Sequence, residues 1–332
     1  MSDKQVILQP KNFNLSKLLR KWGLLIGLIL LIIIFSISAN RFFTIQNITN
    51  ILRQASIIGI MALGVTFALM VGDFDLSFAT LAGLLNVINM TLIVMGWNIL
   101  PVFILTLTIG IIWGLFNSFL IVKIGIHAFI ATLSTMTIAK GIIYWITRGK
   151  TVYGDFPEVL TVIGRQNILF NTLPICALIF ICFAVITFII ADHTKSGRYL
   201  YSVGGNSEAA KFSGINVNLY RILGITASSL FSAVAAMILS SKLTSAPPDA
   251  GEGYLMSVIP VVFLGTVFLR PGSVNIAGTV VATLLIAIIE NGLIMLNVPF
   301  YFKYIVHGVV IIVAIASITG AGKKKIGGPP LL

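Results

Sequence analysis

Charge is the scarcest thing in this sequence. Only 10% of the 332 residues are charged, against about 25% in a soluble globular domain. That deficit excludes a conventional water-soluble core. It also leaves no stretch polar enough to form a separate soluble domain. Acidic residues are scarcer still, 10 against 22 lysines and arginines, for a net charge of +12. On a soluble chain such an excess would suggest a nucleic-acid partner. Here the bases sit mainly in short hydrophilic stretches between apolar runs, where the positive-inside rule accounts for them, so nucleic acid is not expected. Cysteine is limited to Cys176 and Cys182 within one apolar run. They read as small packing residues, with neither a disulfide nor a metal site implied. The three histidines, His127, His193 and His307, are scattered and have no ligand spacing.

What the chain has is hydrophobicity: 58% of residues are hydrophobic and the mean hydropathy is +1.04. A bilayer crossing needs roughly 20 apolar residues. Apolar runs recur at about 22–39, 55–71, 77–95, 100–122, 128–147, 172–191, 222–241, 255–268, 275–293 and 302–319. The sequence predicts an all-α, polytopic membrane protein of about ten spans. The eighth run is short enough to be broken or re-entrant. The basic stretch Lys11, Lys17, Arg20 and Lys21 leads into a full-length apolar run without a nearby cleavage signal, so the first helix is expected to be retained. With both termini cytoplasmic, the inside segments carry most of the lysines and arginines, including Lys4, Lys195, Arg198, Lys211, Arg221 and Lys323 to Lys325. The organisation expected is a cytoplasmic tail 1–21, a transmembrane domain 22–319 and a cytoplasmic tail 320–332.

Two hydrophilic stretches interrupt the pattern, 148–171 outside and 192–221 inside. Within the second, Gly204-Gly205-Asn206-Ser207 is a turn, followed by Glu208-Ala209-Ala210-Lys211-Phe212-Ser213-Gly214. Ser207 is expected to cap a short helix of about two turns. Glu208 suits its positive end and Gly214 is a natural C-terminal stop.

Glu208-Ala209-Ala210 with Gly214 resembles the cytoplasmic motif of ABC importer permeases. The wider stretch resembles the ribose/xylose/autoinducer-type branch of that family: Gly197-Arg198-Tyr199, Gly204-Gly205-Asn206 and Ser213-Gly214-Ile215. Four further segments agree in order: Phe43-Thr44 with Asn47 to Ser56, Gly72-Asp73-Phe74-Asp75-Leu76-Ser77, Ser245-Ala246-Pro247 through Gly251-Glu252-Gly253-Tyr254, and Asn291-Gly292-Leu293. The likeness runs from about residue 40 to 318. It implies a coupling helix, with Gly205, Asn206, Glu208, Ala209, Ala210 and Gly214, that docks into a separate P-loop ATP-binding subunit. It implies an extracytoplasmic sugar-binding protein meeting Pro247, Gly251, Gly253 and Tyr254. It also implies a second permease copy or a paralogue, in a bacterial cytoplasmic membrane. Three positions depart from the family pattern: Asp73 replaces a glycine, Leu255-Met256 replaces an acidic position, and Arg270-Pro271 interrupts a glycine-rich loop.

No cofactor is expected on this chain, ATP and Mg belonging to the partner. The tempting Gly149-Lys150-Thr151 lacks the first glycine of a P-loop, that position being Tyr144. Candidates for the translocation path or its gate are Asp73, Asp75, Asn86, Asn117 and Asn291, because polar groups at membrane depth are either functional or bonded across helices. Lys140 lies inside a predicted span, where it would snorkel or mark a misplaced boundary. The competing reading is an ion-coupled secondary transporter, which would need several buried ionisable groups. An intramembrane enzyme finds no recognisable catalytic motif.

Overall fold

The computed structural model of the protein describes residues 15–168, 172–268 and 272–322. The chain is helical almost throughout. Its helices are α1 (Leu15–Ser38), α2 (Ile45–Met70), α3 (Phe78–Val94), α4 (Ile99–Ser118), α5 (Ala128–Thr147) and the short α6 (Thr161–Arg165). A two-residue hairpin, β1 (Asn167–Ile168) and β2 (Leu173–Pro174), precedes α7 (Ile175–Phe188). Then come α8 (Lys195–Gly205), α9 (Ser207–Phe212), α10 (Val217–Leu243), α11 (Glu252–Gly265), α12 (Ile276–Met295) and α13 (Tyr301–Gly322). Wider π-type turns extend α4 to Ile124 and α7 to His193.

Each of the ten apolar runs coincides with a helix. Among the described residues, six helices are long and apolar enough to cross a membrane, while α1, α3, α11 and α13 contribute shorter apolar segments. Among the boundaries that differ from the hydropathy reading, two are set by side-chain caps. Helix α2 starts ten residues before the predicted 55, because Thr44 Oγ1 accepts the Asn47 amide at 3.3 Å. Its polar first turns are then held by neighbours: Asn47 and Asn291 exchange side-chain hydrogen bonds of 3.0 and 2.8 Å. Similarly α10 starts at Val217, where Asn216 Oδ1 accepts the Leu219 amide at 3.1 Å. The Arg270-Pro271 departure lies outside the described residues.

Helix α2 is buried over nearly its whole length and is packed by α10, α12, α7 and α11. Lipid is as apolar as leucine, so close packing and interhelical hydrogen bonds, rather than hydrophobic exclusion, must hold such helices together. The sequence meets this with small residues at the crossings. A Cβ on Gly64 would sit 2.7 Å from the Phe231 Cβ, and one on Gly114 would sit 2.6 Å from the Thr226 Cα. Buried hydroxyls and amides supply the rest. Asn86 Oδ1 accepts from Ser240 Oγ at 2.9 Å, Asn89 Nδ2 donates to the same hydroxyl oxygen at 3.1 Å, and Thr106 bonds Asn89.

Candidate functional site

The hydrophilic stretch 192–221 folds as two short helices where one was expected. Thr194 Oγ1 accepts the Gly197 amide at 3.1 Å and so caps α8. Leu200 and Val203 bury the inner face of α8 against the bundle. Asn206 then ends one helix and begins the next. Its amide donates to the Ser202 carbonyl, and its Oδ1 accepts the Ala209 amide at 2.9 Å. The N-cap of α9 is therefore Asn206, not Ser207. Its extended backbone (φ −162, ψ 100) holds the side chain over the first turn, while Ser207 is already helical.

The other end of α9 closes as its glycine predicts. Gly214 adopts a φ of +80, which a side chain would strain. The Ile215 amide donates to the Ala210 carbonyl and the Gly214 amide to the Lys211 carbonyl, each at 3.0 Å. These two bonds satisfy carbonyls that a helix end otherwise leaves open. Ala210 is buried and anchors α9, while Gly205, Asn206, Glu208, Ala209 and Gly214 are exposed. Phe212 is 92% exposed at the end of this helix. The sequence reading missed that residue, since an aromatic in an apolar-rich chain carries no local sign of exposure.

Two contacts tie this surface to the bundle. A Cβ on Gly204 would lie 2.1 Å from the Met70 carbonyl oxygen, so α8 abuts the end of α2 through bare backbone. Arg221 grips Asp73 with two bonds, Nε to Oδ2 at 2.9 Å and a terminal nitrogen to Oδ1 at 2.7 Å. The fork-to-carboxylate geometry makes this a strong, directional pair. Asp73, singled out as a path or gate acid, thus joins the α2–α3 connection to the second turn of α10.

The other candidates are engaged inside the bundle. Asp75 is fully buried ahead of α3, its Oδ1 accepting the Ser77 amide at 2.8 Å and the Ser77 hydroxyl at 2.7 Å. Asn117 Nδ2 donates to that same hydroxyl oxygen at 3.0 Å, which links α4 to the entry of α3. Asn86 bonds Ser240, and Asn291 bonds Asn47. A further group was invisible in the sequence because four helices contribute to it. Glu290 on α12 is buried, with Ser257 donating at 2.6 Å, Lys303 Nζ at 2.9 Å and His307 Nε2 3.2 Å away, and Gln54 bonding its second oxygen.

The segment 245–251 does not stay at the end of the bundle. Ser245 accepts from Asn86 and Ala246 pairs with Val152. Gly251 then packs so tightly on α3 that a Cβ would lie 2.3 Å from the Ala79 carbonyl oxygen. Pro247 is half-buried, Gly251 is buried, Gly253 is open, and Tyr254 packs partly into the core. Lys140 marks no misplaced boundary: it lies on a continuous α5 and pairs with Glu252 at 2.7 Å. No cluster of potential metal ligands occurs among the described residues.

Residues 47–315 match the family described as "Branched-chain amino acid transport system / permease component". The chain belongs to this permease family. Within it the permease sits on the monosaccharide importer branch. It is 35% identical to the ribose import permease protein of Haemophilus influenzae, over 96% of this chain and 99% of that one. It is 35% identical to the ribose import permease protein of Bacillus subtilis, over 95% and 98%. It is 32% identical to the L-arabinose transport system permease protein of Escherichia coli K12, over 92% and 93%. No solved structure matches the permease significantly.

Proposed function

We propose that the permease is the membrane subunit of an ATP-driven, binding-protein-dependent importer of a monosaccharide or similar small polyol. It carries out no bond chemistry. It supplies a path, and ATP with Mg is held on a separate P-loop subunit. The chain crosses the bacterial cytoplasmic membrane ten times with both termini inside, and works beside a second permease copy or a paralogue.

The observation that carries this reading is the α8–α9 unit. Nearly every residue of α9 except Ala210 faces outward, and Phe212 stands almost fully in the open. A large, isolated aromatic beside low alanine and glycine surface is the composition of an anchor for a partner's pocket. The groove receiving it belongs to the ATP-binding subunit, with Glu208 at the entering end. Closure of that subunit on ATP pushes α9. The push passes through Gly204 to the end of α2 and through Arg221 to Asp73, where the connection to α3 begins. Packed interfaces switch between discrete arrangements, so a small displacement at this junction re-packs the bundle. On the other side, the delivering protein meets Pro247 and the exposed stretch 148–159, which presents Tyr153 and Val159. Gly251, Gly253 and Tyr254 continue that contact, Gly253 lying open while Gly251 is packed against α3.

Co-purification tests the docking. The native permease is expected to retain its ATP-binding subunit in detergent, and Phe212→Ala to lower that retention at least tenfold while the permease itself stays folded. Equal retention would place the ATPase contact elsewhere. The secondary-transporter reading draws its best support from Glu290 with Lys303 and His307, yet that carboxylate is already saturated by partners from its neighbours.

A further inference from the structure

Lys140 and Glu252 are each about half exposed, 47% and 50% for their side chains, and their charged atoms are 2.7 Å apart. Their depth is what makes them unusual. Lys140 lies twelve residues after the start of α5 and seven before its end, hence ~18 Å and ~10 Å from the two ends at 1.5 Å per residue. Glu252 opens α11 immediately after Gly251, which is wedged between Ala79 and Gly83 of α3. Gly83 is five residues, ~8 Å, after the start of that helix and eleven, ~16 Å, before its end. The pair therefore stands between the ends of α3 and α5, ~8 Å or more from each, on an outer face of this chain.

A charged side chain cannot rest against lipid there without a large cost; ionisable groups at that depth face protein or a water-filled cavity. The surroundings are built for contact rather than for packing. Thr137, Lys140, Gly141 and Tyr144 follow one another at helical spacing on a single exposed face. Gly141 and Gly253 have no atom within 4 Å of where a Cβ would stand, so bare backbone lies open on either side of the pair. The result is an ammonium, a carboxylate, a hydroxyl and a phenol ring around a low floor. Ring hydroxyls bond to such charged groups, and the apolar face of a sugar stacks on an aromatic ring.

We infer that Lys140 and Glu252, flanked by Thr137 and Tyr144, form a solute-contact site for a neutral polyhydroxylated ring within the translocation path. This assignment rests on the importer reading. Its test separates the two.

Single cysteines are placed at Lys140, Gly141 and, as a lipid-facing control on α4, Ile112, in a chain carrying Cys176→Ala and Cys182→Ala. The complete complex with its ATP-binding subunit is held in lipid nanodiscs and treated with a positively charged, membrane-impermeant methanethiosulfonate. Lys140→Cys and Gly141→Cys are expected to react at least tenfold faster than Ile112→Cys. Equal, slow reaction at all three would mean that this face meets lipid or packed protein, and would overturn the site whatever the complex transports. In proteoliposomes, Glu252→Gln and Lys140→Gln are each expected to lower D-ribose uptake about tenfold while ATP hydrolysis stimulated by the binding protein stays within twofold of native. The exchanged pair, Lys140→Glu with Glu252→Lys, restores a structural brace but not the arrangement a sugar meets. Its uptake is expected to stay low. Full recovery of uptake by the exchanged pair would reduce Lys140 and Glu252 to a brace and overturn the proposal. Absence of ATP-dependent uptake in the native complex would instead refute the importer reading, while the labelling still reports whether water reaches the pair.

Discussion

Asp73 is almost dry, its side chain 6% exposed, while its partner Arg221 is 30% exposed. Removing the carboxylate leaves a partly buried guanidinium without its acceptor. Asp73→Ala is expected to cost on the order of 2 kcal/mol, less than breaking a fully buried pair because Arg221 can still turn to water. Thermal unfolding of the solubilised permease would show it. Pairing the change with Arg221→Leu should recover part of the loss, since no orphaned charge then remains. Asn206 is the other single residue with a large lever. Losing its cap bond to Ala209 costs about 1 kcal/mol, so Asn206→Ala is expected to speed amide exchange across 207–212 roughly fivefold. Unchanged exchange would mean that packing through Ala210 alone holds α9. At this scale the sequence revealed the glycine stop but placed the cap one residue late. Neighbouring Asn and Ser are both good caps, and the choice rests on which backbone takes the extended conformation.

Among elements, α8 deserves the sharper test because its end is fitted to α2 without a side chain between them. Gly204→Ala would drive a methyl into the Met70 carbonyl, neither of which is the far end of a flexible chain. We expect the α8 end to lift away. ATP hydrolysis should then continue in the assembled complex with uptake per ATP reduced several-fold. A native ratio of uptake to hydrolysis would show that force does not pass through this contact. The membrane helices were legible as apolar runs because lipid imposes length and hydropathy directly. The first turns of α2 were not. Asn47, Arg53 and Gln54 look like loop residues until Asn291, the Arg165 carbonyl and Glu290 are brought against them. The short eighth run is one continuous helix rather than a broken one: α11 has 14 residues with Pro260 inside it, and follows a segment packed along α3. The Glu290 group was beyond reach from sequence, since Gln54, Ser257, Lys303 and His307 approach it from three other helices at separations that no periodicity reports.

On the scale of the whole molecule, the architecture places two kinds of polarity in different parts of an apolar bundle. One is the exposed α8–α9 surface, tied by Gly204 and Arg221 to the α2–α3 connection. The other is buried, in amide and hydroxyl bridges that join helices where lipid gives no help. The candidate path amides Asn86, Asn117 and Asn291 belong to the second kind by their hydrogen bonds. Sequence reading could name them as polar groups at depth, but not say which neighbour each would find. The most direct test of the permease's function is D-ribose uptake into proteoliposomes containing the permease, its ATP-binding subunit and its binding protein. Uptake is expected to require ATP and the binding protein, to ignore imposed proton and sodium gradients, and to fall at least tenfold in Glu208→Arg. Uptake driven by an ion gradient without ATP, or left at the native rate by Glu208→Arg, would contradict it.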